Sequence, residues 1–128
     1  MVESSALVAI ILEEPGWQPL AEQVVRTSAF TTCFNVLEAA LAVVRERRLK
    51  PSEAYGIVLD AAARLAIEIR DYRADAIPLA IAGREKFGAV RRGLNLGDCL
   101  SYGAARRNSA RLLYVGEDFA RTDVNNTV

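Results

Sequence analysis

Histidine is missing from this sequence altogether, and with it go Ser-His-Asp and Cys-His nucleophilic systems, His-ligated zinc and the paired-histidine helix of metalloproteases. Cysteine is scarce: Cys33 and Cys99 stand alone among 128 residues, offer no disulfide framework, and read as reduced core thiols. Long apolar runs are absent too. Residues 6–12 form the only early one; it follows acidic Glu3, closes on Glu13-Glu14, and is too short for a bilayer and wrongly flanked for a signal peptide. A cytoplasmic protein with no membrane attachment is expected. Any chemistry has to come from carboxylates, hydroxyls or amines.

What is present is a globular balance, 52% apolar and 25% charged, in a length that suits one domain spanning residues 1–128. Net charge is zero but segregated: Arg84, Lys86, Arg91, Arg92, Arg106, Arg107 and Arg111 crowd one stretch that holds only Glu85 and Asp98 in opposition.

Residues 6–12 lead into the turn-forming Glu13-Glu14-Pro15-Gly16, and an amphipathic stretch runs from Trp17 through Leu20, Val24 and Val25, giving two short helices. Ala29-Phe30-Thr31-Thr32 has strand character and precedes helical spacing at Phe34, Leu37, Leu41 and Val44. That helix closes on Arg45-Glu46-Arg47-Arg48, and Lys50-Pro51-Ser52 opens the second arm of a helical hairpin. Ile67-Glu68-Ile69 alternates like a strand, residues 74–87 are helical in composition, 88–93 form a Gly- and Arg-rich loop, 96–107 a helix, and 112–115 a buried strand ended by Gly116. Strands separated by helices imply a three-layer α/β fold, a central mostly parallel sheet flanked by helices on both faces.

Sites in such sheets gather beyond the carboxyl ends of the strands. Glu3 and Asp118 meet that condition. Glu38 lies four residues after Phe34 and three before Leu41, beside the apolar stripe of its helix, and Asp98 falls in a helix first turn, where free amides favour an anion. Each also has a plainer explanation. Asp98 can be a helix-start acid, Glu38 a helix-edge carboxylate facing Arg45, Asp118 a turn residue or cap, and Glu3 a solvated end.

Four segments taken together resemble a known family. Val2-Glu3-Ser4-Ser5-Ala6-Leu7-Val8-Ala9-Ile10 is similar to the opening of VapC-type PIN domains, where a strand leads into Asp-[ST]-Ser-Ala-Leu. Asn35-Val36-Leu37-Glu38-Ala39-Ala40 resembles the second motif, residues 94–102 around Asp98 the third, and residues 112–124, with strand, glycine, acid, Phe and Thr-Asp, the fourth. The resemblance implies a PIN-like fold and a Mg²⁺- or Mn²⁺-dependent endoribonuclease toxin held in check by a VapB-type antitoxin. It also implies Glu3, Glu38, Asp98 and Asp118 as catalytic and metal-site acids, Ser5 hydrogen-bonding within the site, and Asp123 in an outer shell.

Oxygen ligands without histidine or thiolate select Mg²⁺ or Mn²⁺ over zinc or copper. RNA phosphates drawn to an acidic pocket need cations, for which Arg91 and Arg92 are the first candidates and Arg84 and Lys86 the next. Trp17, Leu20, Val24 and the helix from Phe34 to Val44 offer apolar surface for homodimerisation or an antitoxin helix, or else belong to the core. Glu3 stands where the family has Asp, which leaves an alternative: a catalytically impaired PIN-like module that binds RNA or antitoxin. A receiver domain would require a lysine beside a late strand end, and neither Lys50 nor Lys86 meets that condition.

Overall fold

The structure, a computed structural model, describes residues 1–88 and 93–124. Residues 1–3 are extended because they are paired on both sides. The Val2 amide donates to the Phe30 carbonyl at 2.8 Å, the Glu3 amide to the Leu113 carbonyl at 2.9 Å, and the Leu113 amide returns to the Met1 carbonyl at 2.8 Å. Val2 and Leu113 form a parallel bridge. On the other side β1 (Phe30–Thr32) pairs in parallel with β2 (Glu68–Arg70), Phe30 opposite Glu68 and Thr32 opposite Arg70. The sheet therefore runs β2, β1, residues 1–3, residues 112–113.

The expected strand at 112–115 is shorter than its apolar run. Its ladder stops at Leu113 because the Glu3 carbonyl on the neighbouring segment accepts the Leu7 amide of a helix, and the Val115 amide is taken by the Ser5 hydroxyl at 2.9 Å.

Helices connect these segments and begin where the sequence supplies caps. α1 (Ser4–Ile11) starts on Glu3, α2 (Trp17–Val25) follows Gly16 at φ +90°, and α3 (Cys33–Arg47) is capped by the Thr32 hydroxyl accepting from the Asn35 amide at 3.3 Å. α4 (Pro51–Arg64) carries proline in its first turn, where a missing N–H costs nothing, and Glu53 accepts from the Lys50 amide at 2.9 Å. The single helix expected over 74–87 starts as a 3-10 turn, Ala74–Ala76, and becomes α5 (Ile77–Phe87). α6 spans Leu96–Arg107.

Side-chain alternation along the strands divides the interior into two cores. Val2 and Leu113 point into one with Leu7, Val36, Val58 and Ile67, from α1, α3, α4 and the position just before β2. Met1, Leu112 and Tyr114 point to the other face, where they meet Leu94, Tyr102 and Phe119. The result is three layers: α1 to α4, the sheet, then α6 with α5 packed against it. Among the described residues no helix is long and apolar enough to cross a membrane.

Several surface expectations resolve here. Trp17 and Leu20 pack against the first core and Val24 is buried in it, so α2 spends its apolar face internally. α3 leaves Leu37 and Leu41 outside, 55% and 43% exposed. Cys33 is not a core residue as expected; as the first residue of α3 it faces solvent, while Cys99 is half-buried, and both are free thiols.

α5 can approach α6 because Gly103 has no side chain: a Cβ there would stand 2.6 Å from the Ala76 carbonyl oxygen and 2.9 Å from the Ala80 Cβ. Alanine gains about 1 kcal/mol in helix propensity, but backbone atoms cannot yield, and overpacking of this kind costs about 1–3 kcal/mol. Gly103→Ala is therefore expected to lower the unfolding free energy in urea titration; an unchanged or higher value would contradict this packing.

Candidate metal centre

Glu3 ends the extended segment 1–3 and is only 5% exposed. Its carboxylate turns back on the helix it caps: one oxygen accepts from the Ser5 amide at 2.7 Å and from the Ser5 hydroxyl, the other from the Ser4 hydroxyl at 2.5 Å. The same Ser4 oxygen lies 2.9 Å from a Glu38 carboxylate oxygen, so one hydroxyl with a single proton bridges Glu3, the cap of α1, and Glu38 of α3. Ser5 ties the same place to the strand end by accepting from Val115.

Asp98, 8% exposed, is fixed by reciprocal bonds with Asn95. Its carboxylate accepts from the Asn95 amide at 2.9 Å and the Asn95 side chain accepts from the Asp98 amide at 2.9 Å, which closes the free amides of the α6 start. Glu38 reaches this helix too. A Cβ on Gly97 would lie 2.3 Å from a Glu38 carboxylate oxygen, so the bare backbone at Gly97 makes the room that Glu38 occupies. Asp118 is exposed, on the turn after Gly116 (φ +101°).

The electrostatics join these acids into one neighbourhood. Burial pushes the Glu38 carboxyl above the usual range; the Ser4 hydrogen bond opposes this, and the charges of Glu3 and Asp98 add to it. Burial likewise raises Asp98, opposed by the Asn95 amide and reinforced by Asp118 and Glu3. No lysine or arginine forms an ion pair with any of the four among the described residues. Among the described residues the partners of Glu3, Glu38 and Asp98 are neutral hydroxyls and amides.

As the side chains lie, no group of three acids among the described residues is arranged to hold a metal ion, with both Glu3 oxygens turned onto Ser4 and Ser5. The donor chemistry nonetheless fits a hard cation: carboxylate and hydroxyl oxygens, like-charged, with Glu3 and Asp98 buried, Glu38 half-buried, and no counter-charge paired to them among the described residues.

Of the other residues singled out in the sequence, Asp123, Lys86 and Arg84 are described, and each engages partners other than these four acids. Asp123 sits against α5 and α6, accepting from the Tyr102 hydroxyl at 2.9 Å and Arg106 at 2.5 Å, with Lys86 at 3.8 Å. Lys86 is thus paired, and the Arg84 guanidinium donates to the Leu94 carbonyl. Arg91 and Arg92 fall outside the described residues.

Three residues that sequence reasoning passed over organise the site. Asn35, fully buried, accepts from the Ser4 amide at 3.2 Å and the Ser101 hydroxyl at 3.0 Å and donates to Thr32 at 3.1 Å, locking the starts of α1 and α3 to α6. A buried amide one turn before Glu38 was the available signal. Ser4 adjoins Glu3 in the first motif, and Gly97 immediately precedes Asp98.

Residues 1–125 match the family model described as PIN domain. Ribonuclease VapC30 of Mycobacterium tuberculosis (strain ATCC 25618 / H37Rv) is 34% identical over 128 residues, covering 97% of this chain and 95% of the relative. Ribonuclease VapC of Mycolicibacterium smegmatis is 36% identical over 129 residues, covering 97% and 96%. Ribonuclease VapC42 of Mycobacterium tuberculosis is 33% identical over 139 residues, covering 97% and 95%.

The raised carboxyls have a signed consequence. Folding binds the Glu38 proton more tightly than the unfolded chain does, so ionised Glu38 costs stability that is lost as pH rises from the ordinary value of about 4.3 through the raised one. Without divalent metal, Glu38→Gln is expected to be more stable than the parent at pH 7 by chemical denaturation, the difference fading below about pH 4. Equal or lower stability at pH 7 would show that Glu38 carries no such strain.

Proposed function

The chain belongs to the PIN-domain family, within its VapC-type branch, and from that premise we propose that it is a divalent-metal-dependent endoribonuclease acting as the toxin of a toxin-antitoxin pair. One observation carries the reading: Glu3, Glu38 and Asp98 are buried or half-buried beside Asp118, and among the described residues their hydrogen-bond partners are all neutral. Like charges so placed must take up protons or receive a cation. Glu38, Asp98 and Asp118, with Glu3 in the family's aspartate position, are the residues that would hold Mg²⁺ or Mn²⁺.

Such a cation supplies Lewis-acid polarisation of a phosphodiester and eases deprotonation of water. The chain's own groups set where this happens. Asn95 holds Asp98, the Ser4 hydroxyl holds Glu38 beside Glu3, and Ser5 keeps the strand end at Val115 against α1. Hydrolysis then joins a water oxygen to phosphorus, breaks one P–O ester bond and delivers a proton to the departing oxygen. No protein nucleophile is required, in keeping with the lack of histidine.

RNA as substrate comes from the ribonuclease names of the relatives, and a VapB-type antitoxin from the VapC name. Exposed Leu37 and Leu41 on α3 are apolar surface on which a second copy or an antitoxin helix could lie. A cytoplasmic setting accords with both free cysteines.

The purified chain is expected to cut single-stranded RNA with Mg²⁺ or Mn²⁺ and to stop with chelator. Asp98→Asn should fall below about one-hundredth of the parental rate, a loss of about 2.7 kcal/mol in transition-state stabilisation. Ser4→Ala, which only releases Glu3 and Glu38, should lose about 10–100-fold, as residues that orient metal ligands do. Cleavage that survives chelator, or an active Asp98→Asn protein, would refute the assignment. RNA binding without cleavage that Glu3→Asp converts to cleavage would mark Glu3 as the impairing departure.

A further inference from the structure

Beside the acids lies a cleft of about 340 Å³ between α1 and α3, and its Arg45 has no role in the metal site above. Ser4, Ser5 and Glu38 form one wall, so it opens directly from the candidate metal centre. Val8, Leu41, Ala42 and Val115 make an apolar floor, with Leu41 and Val115 43% and 42% exposed. Glu14 and Arg45 complete the lining. The Arg45 side chain is exposed and makes no hydrogen bond or ion pair among the described residues, with Glu38 and Glu14 included.

The geometry points to a nucleotide subsite in this cleft, with Arg45 as its phosphate contact and the Val8–Leu41–Val115 floor under the base. The assignment rests on the ribonuclease reading and names how that activity holds its substrate. Three observations favour it. First, RNA whose scissile phosphate lies at Glu38 and Asp98 must lead its neighbouring nucleotide along one side of the acids, and this cleft is contiguous with them. Second, Glu38 and Arg45 share a face of α3 seven residues apart, about 10.5 Å along an axis rising about 1.5 Å per residue, within reach of an adjoining nucleotide. Third, the other described cations proposed for phosphate are engaged: Arg84 at the Leu94 carbonyl and Lys86 at Asp123. Arg45 is the cation that lines the cleft, and an unpaired guanidinium gives a phosphate both charge and a forked donor set. The aliphatic floor accepts any base face without reading its edge, so the subsite positions the chain and leaves sequence choice elsewhere.

The test compares Arg45→Gln, Arg45→Lys and the control Arg47→Gln, which removes an exposed charge from the same helix away from the cleft. All are assayed with Mn²⁺ on a fluorophore-quencher single-stranded RNA of mixed sequence. Arg45→Gln should raise KM about tenfold with kcat within about twofold, the pattern of lost uniform binding. It should also make the dependence of log(kcat/KM) on log[salt] shallower by about 0.7, one phosphate contact on a single strand. Arg45→Lys should recover most of both effects and Arg47→Gln should show neither. Unchanged KM and salt slope in Arg45→Gln overturn the subsite. If RNA kinetics are unchanged while inhibition by the cognate antitoxin is lost, the cleft is a protein-docking surface and the subsite is equally overturned. Should the parent protein cleave no RNA, the nuclease reading fails separately, and the subsite is judged by fluorescence anisotropy of a labelled RNA octanucleotide. In that arm Arg45→Gln weakens binding about tenfold if the cleft holds RNA, and equal binding rejects it.

Discussion

Carboxylates repel one another most where water is least able to screen them, and this protein brings Glu3, Glu38 and Asp98 together with no cationic partner among the described residues. Hydroxyls and amides orient the charges but do not cancel them. A chain selected for stability alone would place an arginine here or lose an acid. The structure instead keeps these acids as neighbours and orients them with hydroxyls and amides.

The scaffold does this through a few cross-element bonds. Residues 1–3 thread between β1 and the Leu113 segment, which fixes where Glu3 leaves the sheet. Asn35 then gathers the starts of α1 and α3 and the Ser101 position of α6 around one buried amide, and Gly97 lets Glu38 lie against the α6 backbone. Each is a positional constraint: each aligns helices so that a carboxylate, once there, stays. The adjoining cleft inherits the alignment, because Ser4 and Glu38 belong to both.

Much of this was legible in the sequence. Helix α6 could be bounded at Leu96 and Arg107 from its polar start and basic end, but the apolar spacing at Phe34, Leu37, Leu41 and Val44 pointed to the wrong face of α3, which buries Asn35, Val36, Ala39, Ala40 and Val43 and leaves Leu37 and Leu41 exposed. β1 followed from the β-branched and aromatic run at 29–32, and β2 from the alternation at 67–69, although the strand itself runs one residue later, Glu68–Arg70. What escaped was what depends on a partner distant in the chain. Whether 112–115 would complete a strand turned on a serine hydroxyl 110 residues away. That Arg84 and Lys86 would be engaged could not be read from their charge, nor that Cys33 would face outward, nor that Glu3 would fold back on its own helix. Gly97 looked like an ordinary small residue until Glu38 was seen against it.

The central claim is that these acids form one cation site, and anomalous scattering from a Mn²⁺-soaked crystal addresses it directly. The account predicts a strong peak bounded by Glu38, Asp98 and Asp118, with Glu3 at its edge and no arginine or lysine nitrogen in its shell. Manganese bound elsewhere on the molecule while these four carboxylates stay bare at saturating metal would contradict it.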